Sequence, residues 1–196
     1  MTETTECADV GPPDTHLWDQ IAQGDHAAFA ELFERHAEAV WNYAYRLTAS
    51  WSQAEDLLSA TFLTAWRKRG DARLVRDSAL PWLYTVTANR ARTEWRASRR
   101  ALRLVSRLTP QHERDHADQV AERTDAQRRL AAVVAAVAML PPSEREIAQL
   151  CLLGEMPVAD AAALLGIAES SVRARISRTR ARLRRLAGDP NPEDTP

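Results

Sequence analysis

The chain has 196 residues, 45% hydrophobic and 27% charged, with a formal net charge of −1, a composition that fits one or two soluble globular domains. No apolar run approaches the roughly 20 residues that cross a bilayer, and the acidic start MTETTECADVGPP lacks a signal-peptide core, so a cytoplasmic chain is expected. Cys7 and Cys151 lie far apart, the first in a polar tail, which argues against a disulfide framework or a zinc site.

The near-neutral total hides a segregation of charge. Met1 to Glu38 carries nine acidic residues against Arg35 alone, whereas Trp82 to Arg107 carries seven arginines against Glu94. A second basic block follows between Arg173 and Arg185, with no acid in it. Two separated basic blocks imply two contacts with a polyanion, leaving the acidic start to face something else.

In chain order, residues 1–13 form a polar tail. A first helix carries Leu17, Trp18 and Ile21 on one face, with Asp14 or Thr15 as its cap, and stops at Gly24. Asp25 caps a second helix, where Phe29, Leu32, Phe33, His36, Val40, Tyr43 and Leu47 keep helical spacing; His36 on that apolar side is expected to be packed or hydrogen-bonded, not a ligand. Ser52 and Glu55 read as a capping box for a third helix with Leu58, Phe62, Ala65 and Trp66 inward, ended by Gly70. A polar loop from Asp71 to Leu80 leads to Pro81, which opens the fourth helix.

That fourth helix has two apolar faces, one with Trp82, Leu83 and Val86, the other with Tyr84, Ala88, Ala91 and Trp95. Between them Asn89, Arg92, Arg96, Arg99 and Arg103 form one stripe. An amide heading a row of guanidinium groups, flanked by aromatic rings, suits a nucleic-acid strand with unstacked bases. The same pattern also fits a tryptophan-rich core with a solvated arginine face.

Periodicity is lost from Ala101 to Arg123, a linker in which His112 and His116 have no third ligand to complete a metal site. Thr124 with Gln127, and Ser143 with Glu146, read as capping boxes of two further helices separated by Pro141 and Pro142. Gly154 stops the second of them. A short helix from Pro157, a turn at Leu165 to Ala168, and a basic helix from Ser170 then make the sequence form of a DNA-reading helix-turn-helix. On the last helix Val172, Ile176, Leu183 and Leu186 share the inward stripe, and Ala174, Ser177, Arg178 and Ala181 lie opposite, small enough to let a backbone approach base edges. The chain ends in the acidic tail GDPNPEDTP.

Four motifs in order, FAELFERH, QAEDLLSATFLTAW, PWLYTVTANRARTEWRASRR and LPPSEREIAQLCLLGEMPVADAAALLGIAESSVRARISRTRARL, resemble a bacterial sigma factor of the small extracytoplasmic-function (ECF) group. The resemblance spans about Ala28 to Leu186. It implies an all-α fold of two small helical domains joined by a flexible linker, the C-terminal one a helix-turn-helix: a tail over 1–13, a region-2 domain over 14–105, a linker over 106–123, a region-4 domain over 124–187 and a tail over 188–196.

What the resemblance further implies is a non-enzymatic subunit, monomeric when free and without a cofactor, that binds core RNA polymerase at the β′ clamp helices and β flap and directs it to promoter DNA. Glu55, Asp56, Leu57, Leu58, Phe62 and Trp66 would dock on the polymerase. The loop from Arg69 to Leu80 with Asn89 would hold a base flipped from the −10 element, and Arg92, Arg96, Arg99, Arg103, Trp82 and Trp95 would complete that contact. Ser171, Arg173, Ala174, Arg175, Ser177 and Arg178 would read the −35 element. An anti-sigma partner is also implied as an option.

The chain departs from the common pattern at Gln53, Ser59 and Ala60, which alters the polar contacts expected at the polymerase. Ser177 replaces a larger side chain, so a −35 sequence does not carry over from other members. A dimeric helix-turn-helix regulator on a palindromic operator shares the C-terminal motif, but the N-terminal half has neither βα alternation nor a strand-borne aspartate. No Ser-His-Asp arrangement or glycine-rich phosphate loop points to an enzyme.

Overall fold

The computed structural model describes residues 12–108 and 125–187, with the side chains of 97–108 and 187 outside that description. Eight α-helices and one π-helical segment make up its regular structure: α1 Asp14–Ala22, α2 His26–Thr48, α3 Trp51–Arg67, α4 Leu80–Leu108, α5 Asp125–Ala138, α6 Pro142–Ile147, the π-segment Ala148–Leu153, α7 Val158–Leu165 and α8 Glu169–Ala187. Cys7, His112, His116 and Thr124 fall outside the described residues.

The first four helices pack around α2, which lies against α1, α3 and α4. Its inward face holds Leu32, Val40, Tyr43 and Leu47, and His36 shares that buried side. Asp25 caps α2 as its sequence position predicts, accepting from the amides of Ala27 and Ala28 at 2.7 and 3.2 Å. Between α3 and α4 the hydroxyls of Thr61 and Thr87 meet at 3.0 Å, both fully buried.

Other expected caps are absent. α3 begins two residues early, at Trp51, behind Ser50, and the Glu55 carboxylate accepts from the Trp51 indole at 2.9 Å instead of reaching back to an amide. α6 likewise starts at Pro142, so Ser143 is inside the helix and cannot cap it. Asp14 caps nothing: Pro13 holds the cap position, and the Asp14 side chain turns into the interior.

In the second half α6 and α7 pack on α8. The continuation of α6 differs from the regular helix expected. From Ala148 to Leu153 it widens into a π-segment, and Gly154 N–H reaches the Gln149 carbonyl at 2.9 Å. α7 ends at Gly166, whose φ of 64° lets the chain reverse at no cost to a side chain, and α8 starts three residues later.

Most buried apolar side chains join in a cluster that runs from Leu17 through Tyr84 to Val172, so the two halves touch, and a smaller cluster gathers Ala44, Ala54 and Leu57. Arg46 of α2 donates to the Leu153 carbonyl at 2.9 Å and pairs with Glu155 at 3.0 Å, and Arg76 pairs with Asp160 at 3.6 Å. α4 continues through residues 106–108, which places the beginning of the expected linker on a helix.

Candidate nucleic-acid interface

The basic face of α8 rests on two buried anchors. Val172 and Thr179 are fully enclosed, while Ile176 and Leu183 are half-buried against the core. Leu186, expected inward, is exposed in the last turn of α8. Thr179 is also inward: on the wheel it lies between Val172 and Leu186, a place that its polarity hides in the sequence.

Opposite these anchors Ser171, Arg173, Ala174, Ser177 and Arg178 are exposed together, with Arg175 half-buried beside them. Glu169 pairs with Arg173 at 2.6 Å one turn on and adds negative charge at the helix N-terminus, where the helix dipole favours it. Arg182 reaches Glu144 of α6 at 3.2 Å and ties the helix to its support. The outcome is a convex, arginine-bearing helix face with a small-residue centre, able to enter a groove and to meet phosphates on its flanks.

On α4, Leu83, Tyr84, Thr87 and Ala88 are buried, and Asn89 and Arg96 are exposed. Trp82 does not stand free beside them: it packs edge-on against Trp18 at 5.3 Å. Arg92 and Trp95 line a cleft of about 540 Å³ between the halves, with Leu47, Val137 and Gln149 opposite, and Arg92 donates to Gln149 at 3.5 Å. Arg99 and Arg103 continue the helix, their side chains outside the described residues. Asn89 and Arg96 therefore form the open part of the stripe, and Arg92 the part that meets the second half.

At the head of α4 lies the loop after α3. Arg69 stacks over the Trp66 ring at 4.5 Å and donates to the Trp66 carbonyl at 2.8 Å, and His26 stacks on the same ring at 4.6 Å. Val75 and Ser78 pair across a tight turn whose central residues, Arg76 and Asp77, have φ of 54° and 59°. Left-handed backbone at two successive non-glycine residues is strained, and such strain is a reason to examine a loop for function.

The exposed face of α3 carries Glu55, Asp56 and Ser59 with Gln53. Leu57 and Phe62, expected at a partner surface, are buried in the core instead, and Leu58 and Trp66 are half-buried. The helical period explains this, since Ala54, Leu57, Thr61 and Ala65 recur along the side that meets α2 and α4. Two exposed apolar side chains went unnoticed in the sequence: Leu63, 49% exposed, and Trp51, 64% exposed and edge-on to Trp41 at 4.5 Å. The α3 spacing from Glu55 through Ser59 to Leu63 was the available signal.

Four perturbed groups lie beneath these surfaces. Burial raises the Tyr43 and Tyr84 hydroxyls and the Cys151 thiol, which keeps all three neutral at neutral pH. Asp14 is opposite in sign: burial pushes its carboxyl up, but hydrogen bonds from His36, the Ala79 amide and Arg35, with the charge of His36, outweigh burial and hold it at about 2. Among the described residues no three His, Cys, Asp or Glu side chains converge as a metal site, and no helix is long and apolar enough to cross a membrane.

Comparison with known proteins finds a family match in each half of the chain. Residues 32–101 match the family Sigma-70 region 2, and residues 130–183 match Sigma-70, region 4. The chain is 32% identical over 174 residues to the RNA polymerase sigma factor CarQ of Myxococcus xanthus, covering 87% of this chain and 95% of that one. It is 34% identical over 161 residues to the ECF RNA polymerase sigma factor SigL of Mycobacterium tuberculosis, covering 79% and 86%. Among solved structures, CnrH in complex with the cytosolic domain of CnrY superposes with a TM-score of 0.62 at 26% identity, over 92% of this chain and 100% of that one. RpoE in complex with the anti-sigma factor NepR from Bartonella quintana gives 0.54 at 25% identity, over 83% and 98%.

Proposed function

The chain belongs to the ECF group of the sigma-70 family and directs promoter-specific transcription by RNA polymerase, and from that premise we propose how its surfaces divide the work. α4 with the loop before it engages the −10 element. α8 engages the −35 element through Ser171, Arg173, Ala174, Ser177 and Arg178. The single observation that supports this division is that two exposed arginine-bearing helix faces occur on separate halves, one of them headed by a strained loop.

The −10 assignment rests on chemistry. Asn89 offers an amide that can donate to and accept from a base edge, Arg96, two turns further on, offers charge to the backbone, and the strained turn at Arg76 and Asp77 directly precedes α4. A flipped base needs such a fixed receptor, because a mobile loop would add its own ordering cost to that of unstacking.

α3 is the surface offered to core polymerase, and its contacts are Glu55 and Asp56 with Ser59 and Leu63; Leu57 and Phe62 support it from inside. Charges flanking an exposed leucine suit a partner with a basic, partly apolar helical surface, as the β′ clamp helices would supply. The protein performs no catalysis itself and acts in the cytoplasm, where polymerase is. An anti-sigma protein is a further partner, a reading supported by the NepR complex of a structural relative.

The reading as a dimeric regulator is not favoured, since residues 32–101, ahead of the helix-turn-helix, match Sigma-70 region 2 and not a ligand or phosphoacceptor module. Transcription of genomic fragments by core polymerase, with and without the purified chain, tests the proposal. New start sites with a shared −10 and −35 pair are expected, and their absence would sink it. Substitution of Asn89 should then change preference at the −10 element alone, and substitution of Ser177 preference at the −35 element alone.

A further inference from the structure

Asp14 stands in the first turn of α1, yet its carboxylate serves residues far away in sequence. It is 4% exposed. Its Oδ2 accepts from the Ala79 backbone N–H at 2.7 Å and lies 2.7 Å from Nε2 of His36, while Oδ1 accepts from Nη1 of Arg35 at 2.8 Å. One side chain thus joins α1, α2 and the last residue of the loop before α4.

Ala79 follows directly on the strained turn. A two-residue turn with positive φ at both central positions normally takes asparagine and glycine, and here it takes Arg76 and Asp77. The bond that closes it, Ser78 N–H to the Val75 carbonyl, is long at 3.4 Å. Such a turn does not hold its own shape, so its ends must be held from outside. The exit is held twice: Ser78 Oγ accepts from the Leu80 amide at 3.2 Å, and Asp14 takes the amide of Ala79 between them. The bond from Asp14 is shorter and charge-assisted.

We propose that Asp14 is a positioning residue for promoter recognition, pinning Ala79 so that the loop over residues 69–80 keeps the shape that receives a −10 base. Asp14 touches no DNA, being enclosed, and acts only through the backbone it holds. Arg35 and His36 share the work by fixing the carboxylate from α2, Arg35 on Oδ1 and His36 on the same Oδ2 that takes the Ala79 amide. The inference rests on the assignment of this loop to the −10 element.

The test uses holoenzyme assembled from core polymerase and the full chain, transcribing promoters that carry each of the four bases at each −10 position, with −35 substitutions as an internal control. Asp14→Ser removes the bond to Ala79 and should lower −10 base discrimination about tenfold, leaving −35 discrimination and core affinity unchanged. Arg35→Gln, which spares the Ala79 bond but loosens the carboxylate that Arg35 fixes, should lower discrimination by only about twofold, well short of the loss in Asp14→Ser. A variant of the loop itself, Arg73→Ala at an exposed position before the turn, separates the failures. If it loses −10 discrimination while Asp14→Ser keeps it, the positioning role is wrong and the loop assignment stands. If neither variant changes it, both fall. Equal losses at −10 and −35 would make Asp14 a general fold residue and overturn the inference. Should Asp14→Ser not fold, Asp14→Asn keeps the volume with a weaker acceptor: faster exchange of the Ala79 amide with about threefold lower −10 discrimination supports the role, and unchanged discrimination overturns it.

Discussion

Gly154 meets the ring of Tyr84 so closely that a Cβ on the glycine would stand 3.0 Å from Cδ2. This contact joins the end of the π-segment to α4, and the Arg46 bond to the neighbouring Leu153 carbonyl reinforces it. Gly154→Ala would also bring its Cβ to 2.6 Å from the Leu150 carbonyl, an atom of the backbone that cannot step aside. The expected cost is about 1–3 kcal/mol, from overpacking. It should fall on the union of the two halves, so paired spin labels on α2 and α7 should report a larger and broader distance. An unchanged distance distribution would show that this contact does not hold the halves together.

The Thr61 and Thr87 pair is unequal. Thr87 Oγ1 donates to the Leu83 carbonyl at 2.8 Å, so its proton is committed and Thr61 must be the donor between them. Thr61→Val removes a donor from an oxygen that keeps its other bond, for a cost of about 1 kcal/mol or less. Thr87→Val leaves the Thr61 hydroxyl without this partner in a fully buried place, for about 1–3 kcal/mol. Denaturant titration of the two variants checks the order, and a larger loss in Thr61→Val would reverse the assigned direction.

Asp14 gives the fold a dependence on acid. Its carboxyl is held at about 2, below the ordinary 3.8. A group depressed in this way contributes its full stabilisation above the unfolded value and loses it as the pH falls through the folded value. The window is therefore about pH 4 down to about pH 2, and the contribution above it is about 2 kcal/mol. The stability difference between the parent and Asp14→Asn, measured by denaturant titration at successive pH values, should shrink across that window. A difference that stays constant down to about pH 2 would contradict the assignment.

Arg178 lies exposed on the open face of α8. Arg178→Ala should weaken −35-dependent initiation about tenfold and lower the salt slope of promoter binding by about one, as the loss of one phosphate or base contact requires. Binding to core polymerase should not change, because α3 lies in the other half. Initiation on promoters with intact and scrambled −35 elements measures the first, and titration with core polymerase measures the second. A variant that loses core binding would refute the division of surfaces.

Much of this architecture was legible without coordinates. The helical period placed α2, α3, α4 and α8, Asp25 marked its helix start, and Gly166 marked the reversal before α8, because each depends on local backbone preference. The capping boxes at Ser52 and Ser143 failed for a tertiary or local reason that spacing does not carry: Trp51 claimed the Glu55 carboxylate, and Pro142 opened α6 two residues early. The candidate polymerase surface was half legible. Glu55 and Asp56 are exposed as expected, but the apolar residue that accompanies them is Leu63, since Leu57 and Phe62 are spent on the core.

The order of elements, the two arginine-bearing helices and membership of the sigma family follow from the sequence by itself, because periodicity, charge segregation and motif order are properties of neighbours along the chain. Which side chains remain open to a partner was decided only by the tertiary structure. Arg92 turns toward Gln149, Trp82 is taken by Trp18, and Asp14 leaves its own helix to hold Ala79. Each of these joins residues dozens of positions apart, and no local preference encodes such a pairing. Burial requires that a buried charge or amide find a partner, and only the folded chain determines which one is within reach.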